Sequence, residues 1–273
     1  MTRGRISLRI WTAVLIASAC VVLIPRTLRT QEREIRVAAA ADLKFAMTEL
    51  ADKFESSTNA KVDVTCGSSG NFFTQIQNGA PFDLFLSADI EYPRKLEAGG
   101  FSEPGTLYEY AVGRIVIWLP PDTNADIKEK GWNVLLGAAV RKIAIANPDH
   151  APYGRAAVAA LQKAGIYEQV KTKLVYGENI SQAAQFVQSG NAQAGILAKS
   201  LTLSPEMKSG QVWQIPADLH PPIEQAATVL KSAKNKQGAR QFLDFLKSDS
   251  GRRILEKYGF VVPQADSKTP TKP

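Results

Sequence analysis

A short apolar strand that runs into a turn of small or amide residues and then into a helix occurs four times in this sequence. That recurrence constrains the fold more than any other feature. The clearest case is Gly67-Ser68-Ser69-Gly70-Asn71, which follows the alternating run Val62-Asp63-Val64-Thr65-Cys66 and precedes a helical segment over 72–77. The other three turns are Ala41-Asp42, Pro152-Tyr153-Gly154 and Asn179-Ile180-Ser181. At a helix start the first backbone N–H groups have no intrahelical partner, and the helix dipole adds roughly half a positive charge. Such a turn is an anion cradle. Ser68 and Ser69 add hydroxyl donors, and glycine at 67 and 70 permits positive φ and close approach of a ligand. One turn of this kind alone reads most simply as an ordinary capped helix start. The repetition along the chain carries the functional argument.

Between the turns, strand and helix alternate. Strands are expected over 35–40, 82–86, 114–119, 142–146, 194–197, 212–215 and 226–230, with another ending at Leu174-Val175. Leu43, Ala46, Met47, Leu50, Ala51 and Phe54 fall at helical spacing, with Asp42 in the N-cap position. Further helices are expected over 92–98, 155–164, 237–246 and 251–258. This pattern implies α/β layers with largely parallel sheets. Ligands in such folds sit outside the carboxyl ends of the strands. Two of the turns come early in the chain and two in its middle. In separate lobes they could face each other across a cleft. There is no internal repeat at a fixed period.

Residues 1–31 read as a signal peptide or N-terminal membrane anchor. Arg3, Arg5 and Arg9 precede an uncharged apolar run over 10–24. A run of that length is short for a spanning helix, which needs about 20 residues, and suits a signal-peptide core. Ala17-Ser18-Ala19 offers a cleavage site, and Cys20 weakly resembles a lipoprotein site. Cleavage, lipidation at Cys20 and an uncleaved anchor all remain open. Residues 1–29 hold five arginines and no acids, so five of the seven excess positive charges lie there and only two remain for the rest. The basicity therefore says little about nucleic acid, and no basic face interleaved with aromatics points to it. Cys66 stands alone beside Cys20 and is expected to be a buried apolar residue at a strand end. A disulfide framework is excluded, and His150 and His220 lack zinc-ligand spacing with Cys66. The tail over 264–273 is polar and proline-bearing, and is expected to be disordered.

None of the four turns has a basic residue at its centre. Lys44 and Arg155 lie just inside the helices, and no Walker-type Gly-Lys pair is present. Catalysis is the competing class. Ser68 and Ser69 could act as nucleophiles and a histidine as base, but Gly67-Ser68-Ser69-Gly70 is not a G-x-S-x-G elbow. No spacing demands a triad. A serine hydrolase using Ser69 is the alternative from another class.

Several segments together resemble the periplasmic molybdate-binding proteins of ABC transporters. They are Ala38-Ala39-Ala40-Ala41-Asp42-Leu43, Gly67-Ser68-Ser69-Gly70-Asn71, the run from Gly79-Ala80-Pro81 through Ser87-Ala88-Asp89, Asn147-Pro148-Asp149-His150-Ala151-Pro152-Tyr153-Gly154, and Lys257-Tyr258-Gly259-Phe260. The resemblance implies a type II periplasmic-binding fold, in which two α/β lobes are joined by two crossover strands with a cleft between. Lobe 1 would take residues 32–112 and 218–263, and lobe 2 residues 113–217. It also implies an exported periplasmic or cell-envelope monomer that binds molybdate or tungstate and delivers it to a membrane permease. Sulfate or another tetrahedral oxyanion is the alternative ligand, and neither an enzyme activity nor a cofactor is expected.

Carried over by position, the family's ligand contacts fall on Asp42, Ser69, Tyr153 and Ile180. Molybdenum would be held as molybdate through these residues, with no direct metal ligand. Ser69 would donate through its hydroxyl and backbone N–H, and Tyr153 and Ile180 through backbone N–H groups. Ala198 matches a tyrosine that touches the anion in some members, and the Tyr153 hydroxyl would fill that gap. Asp42 departs from the serine or asparagine of other members. At about 4 Å and an effective dielectric near 20, an ionised carboxylate costs a dianion about 8 kcal/mol. Asp42 is therefore expected to cap its own helix, with a protonated, donating Asp42 as the alternative.

Overall fold

The computed structural model describes residues 34–58 and 60–264. The expected export segment with Cys20 and the tail from 265 onward lie outside the described residues. The chain begins with β1 (Glu34–Ala40), α1 (Lys44–Thr58), β2 (Lys61–Gly67), α2 (Ser69–Gln77), β3 (Leu84–Ser87), α3 (Glu91–Ala98) and β4 (Tyr108–Gly113). A second series follows: β5 (Ile115–Leu119), α4 (Ile127–Lys130), β6 (Ile143–Ala146), α5 (Pro152–Lys163), α6 (Tyr167–Val170), β7 (Leu174–Gly177), α7 (Ile180–Gln188), β8 (Ala194–Ala198), α8 (Lys199–Thr202) and β9 (Gln211–Gln214). The chain returns through β10 (Ile223–Val229), α9 (Lys236–Lys247) and α10 (Asp249–Lys257).

Two five-stranded sheets result, ordered β2-β1-β3-β10-β4 and β7-β6-β8-β5-β9. Only Arg114 separates β4 of the first sheet from β5 of the second, and residues 215–222 carry the chain back. These two passages are the links between two α/β lobes. The sheets are mixed rather than largely parallel. β1 runs parallel to β2 and β3, and β6 parallel to β7 and β8, as right-handed crossovers through helices require. The strands next to the passages between lobes break the rule: β10 is antiparallel to β3 and β4, and β5 to β8 and β9. β5, which enters the second lobe, and β10, which re-enters the first, run against the βα units they join, whereas β4 and β9, which leave, run with them. β4 itself was not expected from the sequence, although Tyr108, Tyr110 and Val112 alternate along it.

Burial explains the apolar runs. Successive residues of β1 serve opposite faces of the first sheet. Val37 and Ala39 pack with Leu43, Met47, Leu50 and Phe54 of the α1 side and with Phe242 and Leu246 of α9. Ala38 packs with Phe72, Phe85 and Leu96 on the other face. Both faces of the sheet are therefore covered, which is why β1 reads as a continuous apolar run. The edge between Phe54 and Phe242 is a T-shaped contact at 5.0 Å between ring centroids. Each such fully buried large side chain contributes about 1.5–3 kcal/mol. In the second lobe Ile115, Ile117, Ile143, Ile145 and Leu197 meet Ala157, Ala160 and Leu161 of α5 and Ala183 and Val187 of α7.

Two local expectations fail. Cys66 is exposed, because β2 is an edge strand and its outer side meets solvent. Gly67 and Gly70 are absent from the glycines with positive φ, so close approach alone explains them.

Candidate functional site

All four turns lie at the carboxyl ends of parallel strands: Asp42 after β1, Ser69 after β2, Tyr153 after β6 and Ile180 after β7. The two lobes bring them to one small, nearly closed hollow of about 10 Å³, lined by Asp42, Ser69, Tyr153 and Ile180 together with small residues such as Ala41, Ala88 and Ala151. No lysine or arginine side chain lines it.

The hollow is built from helix starts. Ser69 is the first residue of α2, Ile180 the first of α7, and Tyr153 the second of α5, after Pro152, which has no N–H. N–H groups at these positions have no acceptor within their own helix. Three helix N-termini from two lobes therefore direct partial positive charge at one point, and a buried anion gains from each dipole there. Ser69 is itself buried, and its Oγ accepts the Ala88 N–H at 3.0 Å. That leaves the hydroxyl proton free to point into the hollow.

Asp42 does not do what the sequence suggested. The short 3-10 turn Ala41–Leu43 starts from Ala40 and has no side-chain cap. Instead the Asp42 carboxylate faces the other lobe. Its Oδ2 accepts the Tyr153 hydroxyl at 2.9 Å and the Gln225 amide Nε2 at 2.6 Å. Gln225 is fixed in turn, because its Oε1 accepts the Tyr110 hydroxyl at 2.8 Å. The same amide nitrogen donates to the Tyr153 oxygen at 3.0 Å. Asp42 is 1% exposed, yet its Oδ1 has no hydrogen-bond partner among the described residues. Burial lifts its pKa from 3.8 to about 6, against the opposing pull of Gln225, Tyr153 and the backbone N–H groups of Asp42 and Leu43. The Tyr153 hydroxyl is thus committed to Asp42 and does not replace the tyrosine missing at Ala198.

The lobes touch around the hollow. Ser68 Oγ donates to the His150 carbonyl at 2.8 Å and lies 2.9 Å from His150 Nδ1, and the Gly70 N–H donates to the same carbonyl at 2.9 Å. Ser181 Oγ donates to the Ala41 carbonyl and Ser200 Oγ to that of Asp42, both at 2.8 Å. Asn71 bonds Glu178, and Arg155 pairs with Asp89. Gly70 is required here, since a Cβ would sit 2.6 Å from the His150 oxygen. A Cβ at Gly113 would collide with the Tyr153 hydroxyl. Lys44 and Arg155 point aside as expected, Lys44 over the Phe45 ring and Arg155 over the Tyr92 ring. A larger opening of about 320 Å³ shares Ala88 and Pro152 with the hollow. It presents Asp89, Glu91 and Glu224 against Arg155, so it repels an anion. Among the described residues no cluster of His, Cys, Asp and Glu could hold a metal ion.

Gln225 and Ser200 were not foreseen. The signal for Gln225 was a glutamine inside the apolar run of β10, where a buried amide needs partners.

Over residues 35–261 the chain matches the family described as bacterial extracellular solute-binding protein. It is 39% identical over 245 residues to the molybdate-binding protein ModA of Rhodobacter capsulatus, covering 90% of this chain and 95% of that one. To the ModA of Azotobacter vinelandii it is 41% identical over 231 residues, covering 84% and 90%. The solved periplasmic molybdate-binding protein of Azotobacter vinelandii superimposes with a TM-score of 0.79 at 34% identity, covering 84% of this chain and all 100% of that one.

Proposed function

The chain belongs to the bacterial extracellular solute-binding proteins, on the branch of the molybdate-binding proteins, and from that premise we propose that it captures molybdate or tungstate outside the cytoplasm and hands it to an ABC permease. The observation that carries the reading is the convergence of three helix starts, from two lobes, on one hollow that no lysine or arginine lines. Neutral N–H donors suit a fully deprotonated tetrahedral oxyanion, which offers acceptors on every side and no proton of its own.

Ser69 gives its hydroxyl and N–H from the first lobe, and Tyr153 and Ile180 give N–H groups from the second. Asp42 completes the wall. Because donors come from both lobes, the anion binds fully only when the lobes are together, and the contacts at Ser68, Gly70 and Ser181 hold them so. The permease then needs only to recognise the closed shape. The protein works as an exported monomer, held in the envelope through its N-terminal segment or released from it. A hydrolytic role finds no support. The serine beside a histidine ring is Ser68 rather than Ser69, and its hydroxyl donates to a backbone carbonyl.

Calorimetric titration with molybdate, tungstate, sulfate and phosphate tests the reading. Binding of molybdate and tungstate at submicromolar Kd, with sulfate and phosphate much weaker, is the expected result. Preference for sulfate would move the protein to another oxyanion, and no binding of any of the four would end the proposal.

A further inference from the structure

Resting on the reading of the hollow as an oxyanion site, we propose that Asp42 is a specificity-determining ligand that holds the anion as a neutral carboxylic acid, donating from Oδ1 while Oδ2 accepts from Tyr153 and Gln225. Capture is then coupled to a proton. One proton from solvent joins the Asp42 carboxylate as each dianion enters, and no covalent bond to the anion forms or breaks.

The geometry distinguishes the two carboxyl oxygens. Oδ2 already accepts two hydrogen bonds, from the Tyr153 hydroxyl and from the Gln225 amide nitrogen, which can only donate. That is the environment of a carbonyl oxygen. Oδ1 is buried and unpartnered, and Asp42 lines the hollow. A proton on Oδ1 gives that oxygen a donor role, and an anion oxygen in the hollow supplies the acceptor. Left ionised, the same oxygen would face a dianion with no cation near it. The titratable groups that sense Asp42 are Tyr153 on α5, Tyr110 on β4 and Cys66 on β2, and none of them brings positive charge at neutral pH. Burial has already moved Asp42 up to about 6. An incoming dianion moves it further in the same direction. The His150 ring meets Ser68 and lies 3.6 Å from Glu178, so it is engaged away from Asp42.

Molybdate titrations of the wild-type protein and of Asp42→Asn between pH 6 and 9, each in two buffers of different ionisation enthalpy, test this. Molybdate itself stays a dianion over that range. The wild type should lose affinity close to tenfold per pH unit at the upper end and take up close to one proton per anion. Asp42→Asn, whose amide can donate without a proton, should show a flat profile and no uptake, and should bind more tightly than the wild type at pH 9. On adding molybdate at pH 8, the infrared difference spectrum of the wild type should gain a protonated-carboxyl C=O band that the variant lacks. A flat wild-type profile with molybdate bound overturns the proposal and leaves the oxyanion reading standing. A slope that persists in Asp42→Asn places the proton elsewhere and also overturns it. Tighter binding of hydrogen phosphate than of molybdate at pH 8 would show the carboxylate accepting a proton rather than giving one, with the same consequence. If neither protein binds molybdate at any pH, the oxyanion reading itself fails and the proposal falls with it.

Discussion

The Tyr153 hydroxyl reaches across the gap between the lobes and donates to the Asp42 carboxylate at 2.9 Å. A side chain that follows β6 thereby closes on one that follows β1, and both line the same hollow. The bond does two things. It ties the lobes together, and it lowers the pKa of Asp42 against the rise that burial imposes. In Tyr153→Phe both are lost while the backbone N–H of residue 153 stays. Maximal molybdate affinity should fall about tenfold, the worth of one buried hydrogen bond of roughly 1–1.5 kcal/mol. The pH at which affinity begins to fall should move upward, because the carboxyl now ionises less readily. Titrations across pH 6 to 9 read both effects. An unchanged pH profile beside weaker binding would mean that the hydroxyl acts only as a tie.

Asp42 also leaves a mark on stability in the absence of ligand. Its carboxyl has a pKa of about 6 in the folded protein, against an ordinary 3.8, so between these values the folded state holds more protons than the unfolded one. Stability therefore falls as pH rises from about 4 to about 6 and stays at the lower level above that. The shift corresponds to about 3 kcal/mol. In Asp42→Asn this loss is absent. Urea unfolding at pH 4, 5, 6 and 8 should show the variant gaining on the wild type by up to about 3 kcal/mol between the first and last pH. Parallel curves for the two proteins would show that Asp42 does not titrate in this range.

Ser69 sits at the start of α2 with its Oγ accepting the Ala88 N–H. Ser69→Ala removes a donor to the anion and leaves a buried N–H without its partner. The second effect should cost about 1–3 kcal/mol of stability whether or not anion is present. Molybdate affinity should fall at least tenfold. Thermal melts with and without molybdate separate the two effects: the variant should melt lower in both conditions and gain less from the ligand. A melt lowered equally with and without ligand would remove Ser69 from the site.

The four turns could be read in the sequence because each announces itself locally, through small residues after an apolar strand and before helical spacing. Strand ends and helix starts are encoded within a few residues of each other, so the turns could be placed, while the choice of Asp42, Ser69, Tyr153 and Ile180 within them came from the resemblance to the molybdate-binding proteins. What Asp42 does with its carboxylate could not be read in either way, because its partners are Tyr153 and Gln225, 111 and 183 positions along the chain. The local rule placed it as a helix cap, and tertiary contacts overrode that rule. Gln225 was passed over for a related reason. Its strand was expected to begin at 226, so the buried amide fell just outside it. The mixed sheets have the same origin. Alternation of strand and helix fixes parallel βα units, but the direction of β5 and β10 is set by how the chain passes between lobes, which no local pattern encodes. Exposure of Cys66 depends on β2 being an edge, and edge position emerges only from the finished strand order.

Closure itself rests on a glycine. The Gly70 N–H donates to the His150 carbonyl at 2.9 Å, and a Cβ at position 70 would lie 2.6 Å from that oxygen and 2.8 Å from the Tyr92 hydroxyl. Within the first lobe the added Cβ meets only the Tyr92 hydroxyl, the movable end of a partly exposed side chain, and α2 itself would accept alanine. In Gly70→Ala the Tyr92 side chain shifts within its lobe, and the clash with the His150 backbone is relieved by holding the lobes apart, not by unfolding either one. The melting temperature without ligand should therefore change by only a few degrees, whereas molybdate affinity should fall about a hundredfold or more, since donors from the second lobe no longer reach the anion. Small-angle scattering should show the wild type compact at saturating molybdate and the variant larger under the same conditions. If Gly70→Ala binds molybdate as the wild type does and compacts equally, the lobes tolerate a gap at this point and the meeting of Gly70 with His150 is not what governs capture.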